Sequence, residues 1–170
     1  MRIFAAVNFT DDFKREIKNT IESLKSQSES GNFTRDENLH LTLVFLGEAR
    51  DLEKIKASMN EIDCMPFKIK LSGCSSFKRG NSSLYYASLE KNSILNEIQK
   101  QLSLSLKSKG FYIEDREFKP HITLGREVVF SGPKLNIKPA EMEVTKLSLM
   151  KSERLSGKLT YTEVFYKLLK

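Results

Sequence analysis

The sequence predicts an α+β protein in which short antiparallel strands are covered by three outer helices. Three observations support this fold class. Apolar residues recur at helical spacing in three segments, seven other segments look extended, and two of the extended segments repeat the pattern His-x-Thr-Leu. The repeats begin at His40 and His121, about half a chain length apart. Two strand–helix–strand copies facing each other across a pseudo-two-fold axis would bring both histidines to one cleft.

The first half of the chain begins with a strand over residues 2–8, followed by Thr10 as the N-cap of a helix. Two aspartates in its first turn suit the positive end of the helix dipole. The apolar face of this helix consists of Phe13, Ile17, Ile21 and Leu24. A polar stretch ending at Gly31 is expected to be a loop. Residues 39–46 then predict a strand, and residues 52–62 a second helix.

The second half continues with strands over residues 67–73 and 83–90, bounded by turn-forming residues. Residues 94–106 predict the third helix, which ends at Gly110. Three further strands are predicted over residues 121–130, 143–152 and 158–169. No linker or shift in composition divides the chain, so residues 1–170 are expected to form a single domain.

The composition narrows the class of protein. Lys and Arg exceed Asp and Glu by 28 to 22, an excess that suits a polyanionic partner without requiring one. Cys64 and Cys74 are too few for a disulfide framework and form no CxxC motif. No apolar run approaches the roughly 20 residues of a membrane span, and the N-terminus does not resemble a signal peptide. We therefore expect a cytoplasmic, monomeric protein that does not bind membranes.

The two His-x-Thr motifs contain all the histidines of the chain. In a strand, residues i and i+2 point to the same face, so His40 lies beside Thr42 and His121 beside Thr123. The alternating apolar residues then face the core, which leaves the His/Thr face to a cleft. One neutral and one protonated imidazole form a base and an acid near pH 7. This pair fits in-line attack of water on a strained cyclic phosphodiester.

Other residues could complete such a site. The hydroxyls of Thr42 and Thr123 could hold phosphoryl oxygens. Arg126 could do so only if a bulge near Gly125 redirects it, because strict alternation places it on the apolar face. Two histidines without a third ligand make a poor zinc site, so we expect no metal or other cofactor.

Several segments of the chain resemble the two-histidine phosphoesterases, in particular the RNA 2′,3′-cyclic phosphodiesterase family, also called LigT-like or 2′-5′ RNA ligase. The resemblance lies in the opening residues 1–4, in NLHLTLVFLG at 38–47, in FKPHITLGR at 118–126, and in LMKS at 149–152 with Gly157 and Tyr161. It therefore extends from one end of the chain to the other.

The resemblance implies a bilobal fold of two pseudo-symmetric lobes around a central cleft. It implies hydrolysis of RNA 2′,3′-cyclic phosphate ends to 2′-phosphomonoesters. His40 would be the proton donor to the departing 3′ oxygen and His121 the proton acceptor that activates water. Thr42, Thr123 and Arg126 would bind the phosphate. The partners would be RNA with cyclic phosphate ends, such as tRNA fragments, or small cyclic nucleotides.

Alternatives stay open at this stage. The same site could act on a small cyclic nucleotide, or run the chemistry backwards as a ligase. A non-catalytic RNA-binding module would need only basic and aromatic surface, yet it would not need two His-x-Thr copies. Phe4, Phe45 and Tyr161 could stack on a base, although core packing is the stronger expectation for them.

Overall fold

Two antiparallel sheets and three helices make up the protein in the computed structural model, which describes residues 1–170. The strands are β1 (Arg2–Asn8), β2 (Ser28–Phe33), β3 (His40–Glu48), β4 (Phe67–Arg79), β5 (Ser82–Leu89), β6 (His121–Phe130), β7 (Glu141–Val144), β8 (Lys146–Leu155) and β9 (Lys158–Leu168). The helices are α1 (Asp11–Ser26), α2 (Leu52–Asn60) and α3 (Ser93–Ser108), with one 3-10 turn at Asp36–Asn38. The predicted α+β class is confirmed.

Each helix begins at a side chain that caps its first turn. Thr10 Oγ1 accepts a hydrogen bond from the backbone N–H of Phe13, and Asp51 and Asn92 cap α2 and α3 in the same way. The helices bury their apolar faces against the sheets, as the spacing of Phe13 and Ile17 predicts. Each such fully buried side chain contributes about 1.5–3 kcal/mol. No helix is long and apolar enough to cross a membrane.

The four-stranded sheet, sheet A, has the order β3-β1-β8-β9, and the five-stranded sheet, sheet B, has the order β2-β6-β5-β4-β7. One cluster of 34 buried residues runs beneath both sheets and the helices. Helix α1 packs on β2 and β6 of sheet B, whereas α2 and α3 contact each other and sheet A. Because sheet A pairs β1 with both β3 and β8, the two lobes are interleaved along the chain and are not its successive halves.

Three segments differ from the sequence-based expectation. The strand predicted over residues 67–73 continues to Arg79, because the polar segment expected to be a turn pairs with β5. The polar stretch expected to be a loop contains β2, which is paired with β6 at the edge of sheet B. Its few apolar residues give no periodicity, so only pairing with a neighbour reveals it. The segment predicted as one strand over residues 143–152 is divided into β7, on sheet B, and β8, on sheet A.

Candidate active site

Both His-x-Thr motifs lie at the start of a strand, and the two strands face each other across the lobes. His40 begins β3 at the edge of sheet A, and His121 begins β6 in sheet B. A cleft of about 920 Å³, here called the histidine cleft, lies between them. Its lining includes all five residues singled out in the sequence: His40, Thr42, His121, Thr123 and Arg126.

The His40 ring is fixed at both nitrogens. Its Nδ1 lies 2.7 Å from the backbone oxygen of Asn38 and its Nε2 lies 2.9 Å from Thr42 Oγ1. A carbonyl oxygen only accepts hydrogen bonds, so Nδ1 carries a proton and donates it. The nitrogen that can exchange a proton with a substrate is therefore Nε2, on the side of Thr42.

The His121 ring repeats this arrangement at one nitrogen only. Its Nδ1 lies 2.7 Å from the backbone oxygen of Lys119, two residues upstream as in the first motif. By the same argument this Nδ1 is the donor, and Nε2 is left for the cleft. No protein group forms a hydrogen bond to Nε2 of His121, and the Thr123 hydroxyl is likewise without a partner, so both are available to a ligand.

Two aromatic rings pack against each imidazole. The Phe4 and Tyr161 ring centroids lie 4.8 Å and 5.1 Å from that of His40, and Tyr161 meets the imidazole edge-on at 89°. Phe4, Ala6 and Met150 form a small buried cluster beneath this ring. The His40 ring therefore packs on buried apolar side chains, which restrict its orientation.

The aromatic rings beside His121 lie farther from the imidazole than those beside His40. The Tyr86 and Phe77 centroids lie 5.6 Å and 6.0 Å from that of His121, and the two rings stack on each other at 4.6 Å. Tyr86 comes from β5, which pairs with β6, and Phe77 comes from β4, which pairs with β5. The same three-ring motif thus occurs on both sides of the cleft.

Burial lowers the pKa of His40 below its ordinary value of 6.5. The hydrogen bond to the Asn38 carbonyl opposes this shift, while the positive charge of Arg126 and the His121 ring add to it. Burial therefore favours the neutral form of His40. A phosphate anion placed beside Nε2 would act in the opposite direction and favour the protonated ring.

Arg126 reaches the cleft because β6 is bulged. Tyr86 pairs with Thr123 and Tyr85 with Gly125, so β6 advances two residues while β5 advances one, and the consecutive residues Leu124 and Gly125 are both buried. A second shift follows, because Ser83 pairs with Val128. Glu127, at the bulge, has a positive φ of 52°. A Cβ on Gly125 would lie 2.9 Å from Val128, so only glycine fits the close approach. The bulge directs Arg126 away from the apolar face, the position that strict alternation assigns to it.

A backbone oxygen of β9 ties the first motif to the hairpin of β8 and β9. The carbonyl oxygen of Leu159 accepts hydrogen bonds from the side chains of Asn38 and Arg35. Asn38 is only 7% exposed, and its Oδ1 is a buried acceptor without a partner in the protein. Asn38, whose backbone carbonyl orients His40, is therefore itself held in place by the hydrogen bond from its side-chain amide to Leu159.

The three aromatic residues weighed in the sequence have different environments. Phe4 is buried as expected, and Tyr161 is half-buried against it at 5.0 Å. The expectation of core packing is wrong for Phe45, which is 48% exposed and lies under the Arg2 guanidinium at 5.4 Å from ring centroid to Cζ. Phe45 therefore presents a ring face at the border of the cleft.

Several residues around the two imidazoles gave no signal in the sequence. Phe77 falls in a segment expected to be a turn, Tyr86 looks like an ordinary strand residue, and Asn38 looks like a turn residue. Their positions depend on strand order and on a 3-10 turn, neither of which has a local pattern. No group of three or more His, Cys, Asp or Glu side chains lies close enough together to hold a metal ion.

The fold matches that of solved phosphoesterases. A crystal structure described as a phosphoesterase superposes with a TM-score of 0.80 at 25% identity, covering 99% of this chain and 97% of that one. The structure of E. coli LigT complexed with 3′-AMP gives a TM-score of 0.84 at 24% identity, with the same coverage. The two-sheet fold around a cleft is therefore a phosphoesterase fold.

The sequence comparisons narrow this class to one family. Residues 13–155 match the model of the 2′-5′ RNA ligase superfamily. The RNA 2′,3′-cyclic phosphodiesterase of Archaeoglobus fulgidus is 32% identical over 129 residues, covering 74% of this chain and 72% of that protein. The one from Thermotoga maritima is 29% identical over 182 residues, covering 99% and 93%. This chain belongs to the 2′-5′ RNA ligase superfamily, as the resemblance in its two motifs predicted.

Proposed function

We propose that this protein hydrolyses RNA 2′,3′-cyclic phosphate ends to 2′-phosphomonoesters, with His40 and His121 as acid and base and without a metal. The relatives named RNA 2′,3′-cyclic phosphodiesterase support the general reaction. The observation that carries the mechanism is that both imidazoles line one cleft, each with Nδ1 occupied by a backbone carbonyl. Each ring then has one nitrogen, Nε2, left for proton transfer.

The reaction needs one proton removed and one supplied. His121 Nε2 accepts a proton from water as the water oxygen forms a bond to phosphorus. His40 Nε2 donates a proton to O3′ as the P–O3′ bond breaks. The products are a 2′-phosphomonoester and a 3′-hydroxyl, and exchange with solvent restores both rings. Each positioned proton transfer is worth roughly 10²–10⁴-fold in rate.

The assignment of His121 as the base agrees with its free Nε2. The assignment of His40 as the acid requires a proton on a ring whose protonated form burial disfavours. The anionic phosphodiester supplies the compensating charge when it binds, so protonation of His40 is coupled to substrate binding. Arg126, Thr42 and Thr123 surround the same space and would bind the phosphoryl oxygens.

The test is turnover in excess EDTA of 2′,3′-cyclic AMP and of an oligonucleotide ending in a cyclic phosphate. We expect the wild type to release the 2′-phosphate, with His40→Ala and His121→Ala slower by roughly 10²–10⁴-fold each. Thermal unfolding of each variant checks that it is folded. Rates equal to wild type in both variants would leave only a binding function, and loss of activity in EDTA would establish a metal requirement.

A further inference from the structure

The histidine cleft is lined by cations without any carboxylate. Its charged lining residues are Arg2, Lys25, Arg35, Arg126 and Arg154. No Asp or Glu contributes to the lining. The volume of about 920 Å³ lies near the upper end for a small-molecule site, which leaves room beyond a single nucleotide.

A second depression borders the cleft on the other side of His121 and differs in charge. This side groove, of about 590 Å³, shares Thr42, Phe45, His121 and Arg126 with the cleft. Its other charged lining residues are Arg79, Arg116, Lys119, Glu114 and Glu117. Arg116 lies 3.4 Å from Glu114, and Lys119 lies 3.8 Å from Glu117. Two of its cations are therefore paired with carboxylates of the groove itself.

Apart from Arg126, three cations of the cleft are free of such partners. Arg2, Lys25 and Arg154 are exposed, and none has a carboxylate within 4.0 Å, whereas Arg35 is paired with Glu37 at 2.7 Å. They come from both lobes. Arg2 and Arg154 lie on β1 and β8 of sheet A, while Lys25 lies in the last turn of α1, which packs on sheet B. The free charges thus border the cleft outside the reacting centre.

Ser152 lies between the exposed arginines at the border of the cleft and the residues around His40. It pairs with Arg2 across β1 and β8 and with Tyr161 across β8 and β9, and Arg154 follows it at i+2 on the same face of the sheet. Tyr161 in turn contacts His40. One continuous surface therefore leads from the imidazole to the two arginines.

We propose that this surface binds the single-stranded RNA 5′ of the cyclic phosphate, with Arg2, Lys25 and Arg154 on its internal phosphates. The inference rests on the proposed function and specifies its substrate as an oligonucleotide end. Unpaired cations around a groove attract a polyanion and release its counterions, whereas cations already paired with carboxylates do so weakly. The side groove, which has two carboxylates and two ion-paired cations, attracts the strand less than the cleft does.

The experiment compares two substrates by the ratio of their kcat/KM values: a five-nucleotide RNA ending in a 2′,3′-cyclic phosphate, and 2′,3′-cyclic AMP. For the wild type we expect a ratio of at least about ten at low salt. Three phosphate contacts on a single strand predict that log kcat/KM for the RNA falls with log salt at a slope of about −2. The double variant Lys25→Gln/Arg154→Gln should lower the ratio roughly tenfold and reduce the slope by about 1.4.

Two control double variants each remove two positive charges from other parts of the surface. Arg79→Gln/Arg116→Gln removes two cations from the side groove, and Lys91→Gln/Lys100→Gln removes two exposed cations that have no ion pair and line neither cavity. Both should keep the wild-type ratio and slope. A ratio lowered as much by either control, or a wild-type ratio near one, would overturn the proposal. Failure of the wild type to hydrolyse either substrate would instead refute the proposed function.

Discussion

The two His-x-Thr motifs are alike in backbone and unlike in surroundings. In each, the imidazole opens a strand, donates from Nδ1 to the carbonyl two residues upstream and packs against two aromatic rings. His40 is the more buried of the two, and its Nε2 is already bonded to Thr42. Nε2 of His121 faces the cleft without a partner, and its strand carries Arg126 on a bulge.

The comparison distinguishes the backbone geometry that the two His-x-Thr motifs share from the surroundings that differ between them. The shared backbone geometry gives each ring the same tautomer, which any acid–base pair of this type needs. The unequal hydrogen bonding distinguishes the rings, and burial disfavours the protonated form of His40. Near-identical motifs can therefore differ in how readily they are protonated, because the surroundings as well as the motif affect the pKa of a histidine.

The largest expected effect concerns the division of labour. With an oxygen leaving group, His40→Ala should lower kcat by roughly 10²–10⁴-fold. If sulfur replaces the bridging 3′ oxygen, the leaving group is a thiolate of much lower pKa and needs no proton donor. The defect of His40→Ala should then shrink to less than about tenfold in single-turnover rates, while that of His121→Ala persists. Rescue of His121→Ala alone would reverse the two roles.

The second effect concerns Arg126, which only the second motif has. Removing a charge-assisted hydrogen bond to the phosphate costs about 1.5–3 kcal/mol, so Arg126→Gln should lower kcat/KM for 2′,3′-cyclic AMP by roughly 10–100-fold. Arg126→Lys should recover only part of this loss because it keeps the charge without the planar fork. Steady-state kinetics measure both. Full activity in Arg126→Gln would mean that the bulge has no role in phosphate binding.

The third effect compares the two threonines. The Thr42 hydroxyl lies 2.9 Å from His40 Nε2, whereas no protein group bonds the Thr123 hydroxyl. Thr42→Val should change both the His40 titration and kcat, by up to about tenfold in rate, and Thr123→Val should raise KM by a similar factor. Full pH–rate profiles of the two variants separate these outcomes. Indistinguishable profiles would show that the two motifs are functionally equivalent.

The smallest effect is a shift in the titration of His40. The Tyr161 ring helps to bury His40, and burial is the main cause of its lowered pKa, so Tyr161→Ala should raise that pKa towards 6.5. NMR titration of the imidazole Cε1–H measures the shift. Tyr86→Ala, which removes a ring from the other motif, should leave the His40 titration unchanged.

The lowered pKa of His40 also makes the free energy of unfolding depend on pH. Because the pKa of His40 is lower in the folded chain, the unfolded chain binds the proton more readily between that value and 6.5. The free energy of unfolding should therefore fall as the pH falls through this window. Chemical denaturation at several pH values should show a smaller decrease for Tyr161→Ala, and an equal decrease in both proteins would contradict the link between burial and protonation.

Local patterns in the sequence predicted much of this molecule. The helical spacing of Phe13 and Ile17 and the cap at Thr10 gave α1, and period-two alternation after His40 and His121 gave both site strands. Local rules were sufficient there because burial of one face decides both the element and the direction of its polar side chains. The two motifs then marked five residues that line one cleft.

Long-range pairing decided the features that the sequence left open. Strand β2 exists because β6 offers it backbone partners, and Thr34 Oγ1 extends the contact to the carbonyl of Thr123 at 2.8 Å. The direction of Arg126 depends on a register shift against β5 that its own strand does not encode. Phe77 and Tyr86 reach His121 only through the order of strands β4, β5 and β6.

The carbonyl anchors of the two imidazoles have a consequence for how this site tolerates sequence change. In a hydrolase whose histidine is oriented by a carboxylate side chain, one substitution removes the orienting group. Here the accepting oxygens of Asn38 and Lys119 belong to the main chain, which every amino acid possesses. Residue 119 can therefore be varied in directed evolution without removing the oxygen that accepts the hydrogen bond from His121 Nδ1.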